Sequence, residues 1–157
     1  MSNYAELIIK TEEGWRQHPY HCSEHYVTIG YGRKLSDTKY APLPAMTANK
    51  EEELKFVREK ISQIEGQLRS RFPVAWGKCN EQRQAILISL AYQVGFVGLI
   101  AFKKMWACLD RGDFEGASRE MVNSKWYIQT RHRALRHSQQ MRTGTMHVYY
   151  LTQGAIQ

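Results

Sequence analysis

The chain has 157 residues, 43% of them hydrophobic and 24% charged, a length and balance that suit one globular unit and exclude a disordered or collagen-like chain. Its formal net charge of +7 favours an anionic partner such as nucleic acid, a membrane surface or a bacterial wall polymer, without choosing among them. Three cysteines, Cys22, Cys79 and Cys108, do not make the disulfide framework of a small secreted domain. No segment near Met1 reads as a signal peptide or a membrane span, so the expectation is a chain made in a reducing cytosol.

Asn3, with Glu6 three residues on, is placed to cap a first helix whose apolar side draws on Tyr4, Leu7, Ile8 and Trp15. Gly14 is its natural stop, which leaves Glu13 in the last turn. The β-branched and aromatic run from His25 to Gly32 predicts a short strand ending in a glycine turn, with a second near Lys34 and Leu35. Pro42 and Pro44 mark residues 36–46 as an irregular loop.

Thr47 is the expected cap of a long helix running to about residue 69. On it Leu54, Val57, Ile61, Ile64 and Leu68 recur at steps of three and four, forming one apolar stripe. Glu51, Glu52, Glu53, Lys55, Arg58 and Lys60 fall largely off that stripe. Asn80 is placed to cap a helix that is apolar nearly all round from Ala85 to Tyr92, the pattern of a central core element. Asp113 starts a helix ending near Ser124, Thr130 starts an arginine-rich one, and Gly144 marks a turn before a short tail. Helices dominate and a small sheet is confined to the first third, an α+β chain without internal repeats.

The chemistry gathers around the first glycine. Eight residues separate Glu13 from Cys22, and five separate Cys22 from Thr28. A carboxylic acid at a helix end, then a thiol, then a hydroxyl in a glycine-punctuated strand thus follow one another within one short segment. Single residues of these types are usually structural, and the joint spacing is what carries the reading.

With its flanks, Glu13-Gly14 with Arg16, Tyr20, and Tyr26 to Gly32, this spacing resembles the catalytic region of the phage-type lysozymes, the muramidases of glycoside hydrolase family 24. The resemblance returns from Ala91 to Gly95, from Ser124 to Arg133 and from Arg142 to Thr145, blocks most similar to the T-even phage members. It implies a mostly helical, two-lobed α+β domain over 1–157. The small sheet lobe would span about 12–46, the connecting helix about 47–69 and the helical lobe about 70–157, with the first helix packed on the latter. The implied activity is hydrolysis of the β-1,4 bond between N-acetylmuramic acid and N-acetylglucosamine of peptidoglycan, without cofactor or metal.

By this resemblance Glu13 is the proton donor, Cys22 stands where most members carry Asp, and Thr28 places a water. A carboxyl group donates near neutral pH only if its surroundings keep it protonated. Arg133, implied beside Glu13, works against that while orienting it. A thiolate at Cys22 would supply negative charge or act as nucleophile, and an ordinary thiol must be shifted to be anionic. His18, His21 and His25 are near enough in sequence to help. Inversion and retention both stay open, since one partner is not a carboxylate. Tyr92, Gln93, Met105 and Glu120 are the implied substrate contacts. The further expectations are a monomer with no nucleic-acid partner and no stable membrane insertion. It would wait in the host cytoplasm until a holin-like protein opens the inner membrane, then act on the wall.

Two other readings compete. His18, His21, Cys22 and His25 offer enough donors for zinc, although without a known spacing. Arg131, Arg133, Arg136 and Arg142, with Lys103 and Lys104, could form a basic face for nucleic acid, although no base-reading motif accompanies them.

Overall fold

The computed structural model describes residues 3–154. Helix α1 (Asn3–Glu13) leads into strands β1 (Arg16–His21), β2 (Val27–Gly30) and β3 (Arg33–Lys34), and the long helix α2 (Lys50–Arg71) follows. The remainder is helical: α3 (Pro73–Lys78), α4 (Glu81–Ile100), α5 (Lys103–Asp110), α6 (Phe114–Val122), α7 (Lys125–Gln129), α8 (Arg131–Thr143) and α9 (Val148–Gly154). The small antiparallel sheet has the order β1-β2-β3. This is the mostly helical α+β fold expected of a lysozyme-like chain.

Helix α1 buries Ala5, Ile8 and Ile9 against α4, with Leu7 only half-buried, so its apolar side is turned slightly from the expected one. It stops at Gly14, whose φ of 70° is the left-handed conformation that a residue without Cβ adopts freely, and whose N–H bonds to the Lys10 carbonyl at 3.0 Å. Asn3 lies inside the helix rather than ahead of it.

Strand β1 is a departure from the sequence reading, which placed the first strand at His25. Pro19 argues against a strand, since it has no N–H to give a ladder. Here β1 is an edge strand, and its pairing is irregular between Arg16 and Tyr20, which accommodates the proline. The register then resumes with Tyr20 opposite Thr28 and His21 opposite Val27. The Cys22 N–H bonds to the Tyr26 carbonyl at 3.0 Å and the His25 N–H to the Cys22 carbonyl at 2.8 Å, which closes the hairpin.

Asn49, not Thr47, caps α2, its side chain accepting the Glu52 N–H at 3.1 Å. Four members of the predicted stripe, Val57, Ile61, Ile64 and Leu68, are buried, and Leu54 lies at its margin. Glu53 is buried too, because Arg33 of β3 pairs with it. Helix α4 is the centre of the core: every residue from Ala85 to Ala91 is buried. Among the described residues it is the one helix long and apolar enough to cross a membrane, and its neighbours α1, α2 and α8 cover it. Its cap is Asn80, which accepts from the Arg83 N–H at 3.0 Å, and its backbone breaks from helical geometry at Gly95. Asp113 caps α6 through the Gly116 N–H at 2.8 Å.

Thr130 does not cap α8 with its side chain; the hydroxyl instead donates back to the Trp126 carbonyl at 3.0 Å and closes α7. Gly144 ends α8 as expected. The segment after it is not a loose tail, however. It forms α9, packed on α1, and buries Tyr150 completely.

Candidate active site

Glu13 is the last residue of α1, where the helix runs out against the hairpin. Its side chain is 20% exposed, and its Oε1 accepts from an Arg133 guanidinium nitrogen at 3.3 Å. Gly32, at φ 84°, brings the backbone of the β2–β3 turn against the same carboxyl group. A Cβ there would lie 3.1 Å from Glu13 Oε2. Glycine is thus favoured by conformation, and any Cβ here would oblige the Glu13 carboxyl group to shift by a few tenths of an ångström.

The hairpin presents the other two members of the spacing. Cys22 sits half-buried just beyond β1. Thr28 is buried on β2, and its hydroxyl donates to the Tyr26 carbonyl at 2.9 Å. Burial of the Cys22 sulfur opposes ionisation. Hydrogen bonding from the backbone at Tyr26 and Glu24 and from the Thr28 hydroxyl outweighs it, and the thiol titrates below its ordinary value even with the charge of Glu24 nearby. Since the Thr28 hydroxyl has one proton, it must choose between the carbonyl and the sulfur. Tyr20, opposite Thr28, feels the charges of both Glu13 and Cys22; burial first and then these charges push its phenol pKa up. That phenol ties the acid and thiol sides of the site together. It was not among the residues singled out by the sequence for a role.

The three neighbouring histidines do not drive the Cys22 shift. His21 Nε2 lies 2.7 Å from the Ala41 carbonyl, and His25 stacks on Tyr40 with ring centroids 4.5 Å apart. Among the described residues no three His, Cys, Asp or Glu side chains converge as a metal site, so the zinc reading finds no donor set. The basic-face reading loses two central members, since Arg133 is paired with Glu13 and Arg136 with Glu12.

Tyr92 and Gln93 lie on α4, and of the two Tyr92 is the one near Glu13. The Tyr92 hydroxyl donates to the Tyr31 carbonyl at 2.7 Å, and burial followed by the charge of Glu13 raises its pKa. Gln93 finds its polar partner in Trp126, whose indole N–H donates to Oε1 at 2.8 Å. Met105 and Glu120 both line a cavity of about 600 Å³ walled by α4, α5, α6 and α7, to which Trp126 also contributes. Met105 is fully buried, a floor rather than a reaching side chain.

A second set of residues stands behind Glu13, of which the sequence alone shows little. Glu12 is gripped by Arg136 at 2.6 and 2.9 Å and accepts from the Tyr150 hydroxyl at 2.5 Å. His137, completely buried, lies 2.9 Å from that hydroxyl and 2.8 Å from Ser89 Oγ, and Ser89 accepts from Arg133. The one available signal was the placement of Arg133, Arg136 and His137 on a single helix face.

Comparison with known proteins agrees with this geometry. The phage lysozyme family model matches residues 10–141. The pre-baseplate central spike protein of Enterobacteria phage T4 is 27% identical over 164 residues, covering 92% of this chain and 28% of that protein. The chain therefore spans little more than a quarter of the spike protein's length. A probable T4-type lysozyme of Dictyostelium discoideum is 22% identical over 164 residues, covering 90% of this chain and 95% of that protein. With the helix-end acid, the hairpin and a family match over most of its length, the chain belongs to the phage lysozyme family of glycoside hydrolases.

Proposed function

We propose that the chain is a muramidase that hydrolyses the β-1,4 bond between N-acetylmuramic acid and N-acetylglucosamine of peptidoglycan. What supports this reading is Glu13, held at a helix end by Arg133 with the β2–β3 turn against its carboxyl group, next in the chain to the hairpin that bears Cys22 and Thr28. Glu13 gives its proton to the leaving glycosidic oxygen. Positive charge develops at the anomeric carbon as the bond opens, and a Cys22 thiolate across the cleft stabilises it or attacks it. Thr28 orients the incoming water. Tyr92, Gln93, Met105 and Glu120 would shape the wall that receives the glycan and its peptides, and no cofactor takes part in these steps.

The test is Glu13→Gln on purified peptidoglycan. The variant should fold as the parent does and release no fragments, whereas the parent should release fragments with muramic acid at the new reducing end, read by mass analysis. Retained cleavage by the variant would overturn the acid assignment.

The cellular role is host lysis by a monomer that waits in the cytoplasm and reaches the wall after a holin-like protein opens the inner membrane. Expression in a host should therefore leave cells intact until the membrane is permeabilised and clear them afterwards. A second reading, favoured by the similarity to a phage spike protein, is that this catalytic unit works within a baseplate spike. Co-purification with baseplate proteins from phage particles would favour it.

A further inference from the structure

Glu12 and Glu13 are consecutive carboxylates, and Arg133 and Arg136 are one helical turn apart on α8, yet the two ion pairs differ in kind. Arg136 closes on Glu12 as a fork, with Nε at 2.9 Å and Nη2 at 2.6 Å. Arg133 touches Glu13 through Nη1 alone, at 3.3 Å. Its Nη2 is engaged elsewhere, by the Ser89 hydroxyl at 3.0 Å and the Ser89 carbonyl at 3.2 Å, and its buried Nε has no partner. A guanidinium with a carboxylate beside it and an orphaned buried donor is being held back from a fork it could otherwise make.

The restraint can be followed proton by proton. The Tyr150 hydroxyl donates to Glu12, so its oxygen accepts from His137 Nδ1 at 2.9 Å. A neutral imidazole carrying its proton on Nδ1 has Nε2 as an acceptor. The Ser89 hydroxyl, 2.8 Å away, must then donate to it, which leaves the Ser89 oxygen free to accept from Arg133. From the Ser89 hydroxyl onward each donor has one acceptor, and the chain runs in a single direction from Arg133 to Glu12.

Protonating His137 would make Nε2 a donor and turn Ser89 around. The groups facing the ring oppose this: Arg133 and Arg136 on its own helix, and His147 ahead of α9. Glu12 on α1 lies 3.9 Å from Nδ1, Ser89 comes from α4, Trp126 from α7 and Tyr150 from α9. Burial first, then the two arginines and His147, hold the imidazole pKa well below its usual range.

We propose that His137 is a positioning residue for Glu13: by fixing the Ser89 hydroxyl it holds Arg133 to a single contact and prevents a fork on the proton donor. This rests on the reading of Glu13 as the acid. A forked arginine favours the ionised carboxylate, and an ionised Glu13 has no proton to give.

The experiment compares pH profiles of kcat/KM on soluble peptidoglycan fragments for the parent, His137→Phe, Ser89→Ala and His137→Gln. In His137→Phe and Ser89→Ala the limb on which activity falls with rising pH should move down by about one unit, the low end of what a paired arginine does to a carboxyl group. His137→Gln can accept from Ser89 and donate to Tyr150, so its limb should return toward that of the parent. Ser89→Ala deletes one oxygen and keeps the test available should His137→Phe fail to fold. An unmoved limb in Ser89→Ala, with loss of thermal stability alone, would overturn the proposal and leave His137 a packing residue. Active Glu13→Gln would overturn the acid reading itself, whereas inactive Glu13→Gln with an unmoved limb overturns only the positioning role.

Discussion

Arg33 closes on Glu53 with Nε at 2.9 Å and Nη2 at 2.6 Å, fastening the sheet that carries Thr28 to helix α2. Glu53 is 3% exposed, so removing its partner would strand a charge out of water. Arg33→Ala should cost about 3 kcal/mol of folding stability in urea titration. A loss below about 1 kcal/mol would place the pair with ordinary surface ion pairs.

Cys22 should be the group that sets the acidic side of the activity profile. Its thiol pKa is lowered, so the thiolate is present above that pKa and lost as pH falls through it. Thr28→Val removes one of the hydrogen bonds responsible, and should move the pH midpoint of thiol alkylation upward. Cys22→Asp should remain active while Cys22→Ala loses most of its activity, measured by wall clearing. Equal activity of the alanine variant would mean the thiol only fills space.

Gly32→Ala should damage the acid directly. The new methyl group would meet Glu13 Oε2 at 3.1 Å on a backbone with φ of 84°. We expect a stability loss of about 1–2 kcal/mol from the left-handed conformation. The activity loss should be roughly tenfold or more from displacement of the carboxyl group. The comparison with Gly14→Ala isolates the effect, because nothing lies within 4 Å of a Cβ at Gly14. That variant should show the backbone penalty without the loss of rate.

Stability should also report on His137. Its folded-state pKa lies well below the ordinary 6.5, so the unfolded chain binds the proton more readily. The stabilisation is therefore complete above about pH 6.5 and lost as pH falls below it, by at most about 1.4 kcal/mol per pH unit. His147 shifts in the same direction. Urea midpoints at pH 7 and pH 5 should differ less in His137→Gln than in the parent.

What the sequence made legible was local. Asn80 and Asp113 cap their helices through bonds to the third residue on, and Val57 to Leu68 face the core because their spacing matches a helical turn. The spacing of Glu13, Cys22 and Thr28 likewise lies within one short segment. Residues whose environment comes from afar were misread or missed. Glu53 looked like a solvent-facing charge until Arg33 was placed against it. Tyr150 looked like part of a tail, since nothing in its own neighbourhood announces Glu12, 138 positions away. Ser89 and His137 are 48 positions apart, and each alone is an ordinary core-helix residue. Strand β1 was hidden by Pro19, whose tolerance depends on lying at the edge of a sheet.

That same proline has a consequence for how the molecule behaves in a crowd. An outer strand normally shows a row of unpaired N–H and C=O groups that another chain can zip onto. Here the row on β1 lacks a donor at Pro19 and is bent by the irregular pairing before Tyr20, while the opposite edge, β3, is two residues long. Both margins of the sheet are thus poor templates for a fourth strand, and the hairpin that carries Cys22 is protected from growing into an aggregate.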